Sequence, residues 1–225
     1  MILNLRNKTF LVILYFFSIF TLSVWADTSP KLSLQMGPAS SVDNIQLTPD
    51  GQRIISMGFN IHIWDIETGR EERIIQTPHI LEHIFTATLL PNGKQIILGG
   101  WGEDGIGKII LWDLESEQVV KTFEGHSTRV RSVAVFPDGK TILSGGDDHT
   151  LKLWDLPTGN LLKTFSGHTN GITTVAVSPD GKHIVSGSYD KTVKLWDIET
   201  GKEIKTFNDH TNTITHVLFS PDGLY

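Results

Sequence analysis

Histidine, serine, aspartate and tryptophan recur at fixed offsets in the second half of the chain, first as His126, Ser144, Asp148 and Trp154, then as His168, Ser186, Asp190 and Trp196. The first three types are those of a nucleophilic triad, where the imidazole takes the serine proton and the carboxylate orients the imidazole. Such chemistry needs one oxyanion hole at one strained turn. Two equivalent sets on successive repeats lack that asymmetry, so repetition argues against hydrolysis. Two other motifs suggest chemistry. His79-Ile80-Leu81-Glu82-His83 has the spelling of an inverted zinc-protease site. That site works on a helix, where positions i and i+4 share a face. Here Pro78 precedes the motif and a strand pattern follows. Gly102-Glu103-Asp104-Gly105-Ile106-Gly107-Lys108 approaches a phosphate loop, but Ile109 stands where a Ser or Thr would hold magnesium, and a strand pattern follows it. It reads as a glycine-rich hairpin tip. The chain has no cysteine, which excludes disulfides and thiolate metal sites and leaves the redox compartment open. No catalytic residue, cofactor or metal is expected.

The elements that must position these side chains are set by an internal repeat. Trp-Asp pairs fall at Trp64-Asp65, Trp112-Asp113, Trp154-Asp155 and Trp196-Asp197. Turn triplets begin at Pro49, Pro91, Pro137, Pro179 and Pro221, so their spacings are 42, 46, 42 and 42 residues. That period is one four-stranded propeller blade. In the third unit, Val130 to Phe136 alternates and stops at Pro137-Asp138-Gly139; Thr141 to Ser144, Leu151 to Leu156 and Leu161 to Phe165 supply three more short strands. The fourth unit repeats this at Val175 to Ser178, His183 to Ser186, Val193 to Ile198 and Glu203 to Phe207. A generic sandwich does not explain a near-constant period.

These residues closely resemble the WD-repeat propeller family. Gly125-His126 and Gly167-His168 match its glycine-histidine start, and Leu153-Trp154-Asp155 and Leu195-Trp196-Asp197 match its closing signature. The resemblance covers the chain from Lys31 onward. It implies an all-β chain of four-stranded antiparallel blades, about four of them, plus the first strand of a fifth. It also implies that each His-Ser-Asp-Trp set is a structural tetrad bonded across neighbouring strands. The tetrad degrades toward the N-terminus. The first unit has Ser56 and Trp64 with Asn60 in place of the aspartate; the second has Trp112, Gly99 read at the serine position, and Asp104 in an insertion. The resemblance places partner binding on one loop rim, three and five residues after the repeat histidine and just before the tetrad aspartate. Those positions are Arg129, Arg131 and Asp147, then Gly171, Thr173 and Tyr189, then Thr213 and Thr215; aligning on Pro91 adds His83 and Phe85. Arg129, Arg131 and Tyr189 are the residue types that anchor interfaces. Trp101 sits on the enlarged loop of the second unit.

Residues 1–26 read differently. Arg6 and Lys8 precede an uncharged apolar run from Phe10 to Leu22, followed by Val24-Trp25-Ala26. This layout predicts a secretory signal cut after Ala26, leaving 27–225 as the propeller, exported to the periplasm, the envelope or the exterior. Membrane attachment would come only from an uncleaved signal. A formal charge of −6 argues against nucleic acid as a partner. Leu32 to Met36 reads as an outer strand for a closing blade. Seven units of about 42 residues would need roughly 290. An open set of blades therefore predicts a truncated chain, or self-association through edge strands. The leading functional expectation is a non-catalytic protein-binding or peptide-binding scaffold. The alternative is a fragment of a larger propeller-containing enzyme or sensor whose catalytic part lies elsewhere.

Overall fold

The structure is a computed structural model that describes residues 2–5, 8–11, 44–58, 60–77 and 80–223. Most of the predicted leader and the Leu32 to Met36 segment lie outside the described residues. Within the leader, β1 (Ile2–Leu5) and β2 (Lys8–Leu11) pair antiparallel. Among the described residues no helix is long and apolar enough to cross a membrane. The chain divides into two compact units, residues 1–77 and 78–225.

The first unit carries one four-stranded antiparallel sheet, β3 (Asn44–Leu47), β4 (Arg53–Met57), β5 (Asn60–Asp65) and β6 (Glu71–Gln76), paired in chain order. The second unit carries three sheets of the same kind. They are β7 (His83–Leu89) to β10 (Gln118–His126) through β8 (Gln95–Trp101) and β9 (Gly107–Asp113); β11 (Val130–Val135), β12 (Thr141–Gly146), β13 (Thr150–Asp155) and β14 (Leu161–Ser166); and β15 (Ile172–Val177), β16 (His183–Ser188), β17 (Val193–Asp197) and β18 (Glu203–Phe207). The predicted strands of the third and fourth units all form. The first strand of the fourth unit begins three residues earlier than the alternation suggested, at Ile172.

Each turn has a local cause. The carboxylate of every Trp-Asp pair accepts the backbone N–H three residues on, from Thr68, Ser116, Thr158 and Thr200, at 2.7 to 2.8 Å. The aspartate thus closes an Asx turn between the third and fourth strands. A left-handed residue follows it: Gly69, Gly159 and Gly201 at φ 68°, 83° and 72°, but Glu117 at φ 54° in the second sheet. There the side chain opposes the backbone.

In the second unit the sheets pack face to face through two apolar layers. Leu90, Ile97, Ile109, Leu111 and Phe123 meet Val130, Val133, Ile142 and Trp154. Leu143, Leu151, Leu153 and Phe165 in turn meet Ile172, Val175, Ile184 and Trp196. The close approach depends on glycine: a Cβ at Gly145 would lie 2.6 Å from Ile172 Cγ2, and one at Gly187 would lie 2.4 Å from Ile214 Cγ2. Hydrogen bonds fix the register between sheets. Val133 N–H donates to Thr86 Oγ1 at 3.2 Å and Val175 N–H to Ser132 Oγ at 3.1 Å. Val217 N–H repeats the bond to Thr174 Oγ1 at 3.3 Å, so the segment after β18 follows the same track although it has no ladder partner.

Outer strands hook forward onto the next sheet. Phe123 stands edge-on to Trp154 and Phe165 to Trp196, each with centroids 6.0 Å apart. Lys121 Nζ donates to Pro157 O, and Lys163 Nζ to the carbonyls of Ile198 and Glu199 at 2.9 and 2.7 Å. Phe207 occupies the equivalent place on β18 and is 41% exposed, against 1% for Phe123 and Phe165.

Candidate functional site

The structure brings each predicted tetrad together. His126 Nδ1 lies 2.8 Å from Asp148 Oδ2, His126 Nε2 lies 2.7 Å from Ser144 Oγ, and Trp154 Nε1–H donates to Ser144 Oγ at 2.9 Å. The fourth sheet repeats this with His168 to Asp190 at 2.8 Å, His168 to Ser186 at 2.8 Å and Trp196 to Ser186 at 2.9 Å. Proton counting orients the chain of bonds. The indole can only donate and the carboxylate can only accept, so with a neutral imidazole the Nδ1–H goes to the carboxylate and the serine hydroxyl donates onward to Nε2. That requires a neutral imidazole and an ionised aspartate. For His168, burial lowers the pKa against the pull of Asp190. Burial opposes ionisation of Asp148, but the hydrogen bond from His126 and the bonds from Thr150 outweigh it and bring the carboxyl to about 2. Asp190 also sits below the usual carboxylate range: burial resists, while Thr192, His168 and the Thr169 N–H prevail.

The bond sequence Asp-His-Ser is that of a triad, yet Ser144 and Ser186 are fully buried beneath their indoles. No substrate carbonyl reaches either hydroxyl. Both motifs set aside on sequence sit in the wrong backbone for their chemistry. His79 lies outside the described residues, and His83 opens β7, a strand. The glycine-rich segment caps the β8–β9 hairpin, where Asp104 holds Lys108 at 3.0 Å. Among the described residues no group of three His, Cys, Asp or Glu could hold a metal ion.

The incomplete sets differ in kind. In the first sheet Trp64 Nε1–H donates to Ser56 Oγ at 2.8 Å, and Asn60 stands in β5 opposite Gln76. In the second, the register corrects one assignment. Ile96 faces Trp112 as Ile142 faces Trp154, so the residue at the serine position is Leu98, not Gly99; Gly99 corresponds to Gly145. With leucine there, the Trp112 indole N–H is buried without a partner.

The rim positions converge on a second cluster, built from one end of the three sheets in the second unit. Register places Trp101, Asp147 and Tyr189 at one repeat position, each directly after Gly100, Gly146 and Ser188. Arg131 is gripped on three sides. Its Nε and NH2 donate to the two Asp147 carboxylate oxygens at 2.9 and 2.8 Å, and its guanidinium lies 4.7 Å from the Phe85 ring centre and 5.7 Å from that of Tyr189. Asp147 raises the arginine's pKa further against the effect of burial. His83 stacks on Phe85 at 4.4 Å. Arg129, the residue before β11, lies 4.2 Å over Trp101, which closes β8. Counting ten residues from each turn proline (Pro91, Pro137, Pro179) finds Trp101 together with Asp147 and Tyr189.

Gly171 is buried against the cluster: a Cβ there would lie 2.8 Å from Asp147 Oδ1 and 3.2 Å from Tyr189 Cδ2, and its carbonyl accepts from Tyr189 N–H and Ser188 Oγ–H. The threonine positions stand apart from it. Thr173 Oγ1 bonds to the carbonyls of Gly187 and Ile214 at 3.0 and 2.5 Å. Thr213 N–H bonds to the Asn212 side chain, and Thr215 is exposed.

A family model for the WD domain, G-beta repeat (WD40), matches residues 117–155, 159–197 and 201–225. The chain is 28% identical over 113 residues to Protein groucho of Drosophila melanogaster, covering 49% of this chain and 15% of that protein. It is 32% identical over 146 residues to a guanine nucleotide-binding protein subunit beta of Arabidopsis thaliana, covering 60% of this chain and 38% of the relative. A serine-threonine kinase receptor-associated protein of Gallus gallus is 28% identical over 133 residues, with 59% of this chain and 36% of the relative covered. The chain therefore spans well under half the length of these relatives. The matched repeats and these relatives, on a chain of four four-stranded antiparallel sheets with blade register, support a place for it in the WD-repeat propeller family.

Proposed function

We propose that this chain is an exported, non-catalytic scaffold that binds a protein or peptide partner on the Arg129–Arg131 rim of its second unit. The observation that carries this reading is the cluster itself. Arginine and aromatic side chains from three successive sheets meet at one end, half-buried and already held in place. Preorganised aromatic and arginine groups are the usual sources of interface energy, because little side-chain freedom is left to lose on binding. Two of the relatives carry assembly in their names, as a receptor-associated protein and as a subunit. Burial of both tetrad serines supports a structural role for those sets. Export rests on the basic start at Arg6 and Lys8, the apolar run to Leu22 and the small-residue cut site at Ala26.

The binding test is selection from a random twelve-residue peptide display library on the full chain, counter-screened against a Phe85→Ala, Tyr189→Ala double variant. Peptides that bind the native chain and lose at least tenfold on the variant support the rim. Peptides indifferent to those substitutions refute it. Export is checked by expression in a bacterial host followed by fractionation: an N-terminus at Asp27 outside the cytoplasm is the expected result, and intact Met1 in the cytoplasm refutes it.

A further inference from the structure

Two arginines at the start of β11, Arg129 just before it and Arg131 within it, have different electrostatic situations. Arg131 is neutralised in place by a bidentate carboxylate, Asp147. Arg129 lies flat on Trp101, and among the described residues it makes no ion pair and no side-chain hydrogen bond to a neighbour. A guanidinium stacked on an aromatic face keeps its N–H edge free for a carboxylate in the plane of the fork. A second feature marks the same spot. Three buried side-chain polar atoms among the described residues lack partners; two of them are Trp101 Nε1, on the ring beneath Arg129, and Thr128 Oγ1, on its chain neighbour. Buried orphans are rare in folded proteins and mark places where a polar arrangement is unfinished.

From these two observations we infer that Arg129 is the receptor for a single carboxylate in the bound partner, and that the partner is a peptide segment in which an Asp or Glu adjoins an apolar or aromatic residue. The carboxylate pairs with the Arg129 fork, and the adjoining side chain lies against Tyr189 and Phe85. Tyr189 is 39% exposed. Arg131 serves as a positioning residue that holds those two rings, its own charge being satisfied. A formal chain charge of −6 disfavours a long acidic run or a nucleic acid, so recognition rests on one local acid.

This inference rests on the rim reading above, and the experiment separates the two. Peptides from the same display library that depend on Phe85 and Tyr189 are sequenced and resynthesised with each Asp or Glu changed to Asn or Gln. The expected result is a shared acid whose amidation weakens binding to the native chain at least tenfold and changes binding to Arg129→Gln by less than twofold. Amidation that costs less than twofold on the native chain overturns the carboxylate site while leaving the rim reading intact. Amidation that costs tenfold on both chains assigns the acid to another group and overturns it equally. Displacement of the peptides by a single-stranded oligonucleotide at lower concentration than unlabelled peptide overturns it in favour of a phosphate ligand. A library with no rim-dependent peptide overturns both readings. Peptide amidation acts on the native chain, so the outcome on that side does not depend on the folding of a variant.

Discussion

Changing Ser144 to alanine removes one hydroxyl that serves two buried partners. Trp154 Nε1–H donates to it at 2.9 Å, and it donates to His126 Nε2, 2.7 Å away. The serine is fully buried and Trp154 is almost so, and water does not replace the lost oxygen without repacking. Each orphaned buried group costs about 1–3 kcal/mol, and relief from burying the hydroxyl offsets part of that. The expected loss is about 2–4 kcal/mol, a large fraction of the ~5–15 kcal/mol typical of a folded domain. Urea unfolding of the full chain, followed by far-ultraviolet circular dichroism, measures it. Trp154→Phe removes the donor, so in Ser144→Ala, Trp154→Phe only one orphan remains. The double variant then falls short of additivity by about 1 kcal/mol. A Ser144→Ala cost below about 0.5 kcal/mol, or a strictly additive cycle, would refute the view that the tetrad is a coupled network.

Three further outcomes are expected. Acid should weaken the fold in two stages. His168 has its pKa lowered in the folded state, so stability declines as pH falls below the unfolded value near 6.5. Asp148, at about 2 against 3.8 unfolded, contributes fully above pH 4 and is lost as pH falls toward 2, in the same direction as Asp190; urea midpoints across pH 2–8 that stay flat below 6.5 contradict this. Gly145→Ala places a Cβ 2.6 Å from Ile172 Cγ2, so a loss of about 1–3 kcal/mol is expected, read as a lower thermal midpoint. Glu117→Gly relieves the left-handed backbone at φ 54° and should raise stability by about 1 kcal/mol, whereas the reverse change, Gly159→Glu, should lower it; equal midpoints for both variants count against strain at this turn.

Much of this architecture was legible because hairpins of constant length keep sequence distance and spatial register in step. Ser144 and Ser186 each precede their tryptophan by ten residues, and both networks form as spaced. The second unit broke that relation. Its β8–β9 hairpin is longer, so ten residues back from Trp112 lies Gly102, inside the loop, and neither it nor Gly99 is at the serine position. Counting seven forward from Pro91, as from Pro137 to Ser144, lands on Leu98, where the register puts it. The rim was legible by position and not by partnership. Nothing in the spacing of Arg131 and Asp147 announces a bidentate pair, because that contact depends on where β11 begins relative to the β12–β13 turn. Trp101 escaped for the same reason as Leu98: its place is set by distance from the proline ahead of it, not by the loop behind it.

The forward hooks of the outer strands give the second unit a direction. Phe123 covers the tryptophan one sheet on, and Lys121 ties down a turn of that same sheet; Phe165 and Lys163 do likewise for the sheet after. Each of the last two sheets is thus finished by the strand that precedes it in the chain. Such coupling is short-ranged and directional, running from each sheet to its neighbour along the chain. A lesion at Trp154 is felt first by β10, its upstream neighbour, and amide exchange in β18, whose Phe207 is 41% exposed, should outpace that in β10 and β14.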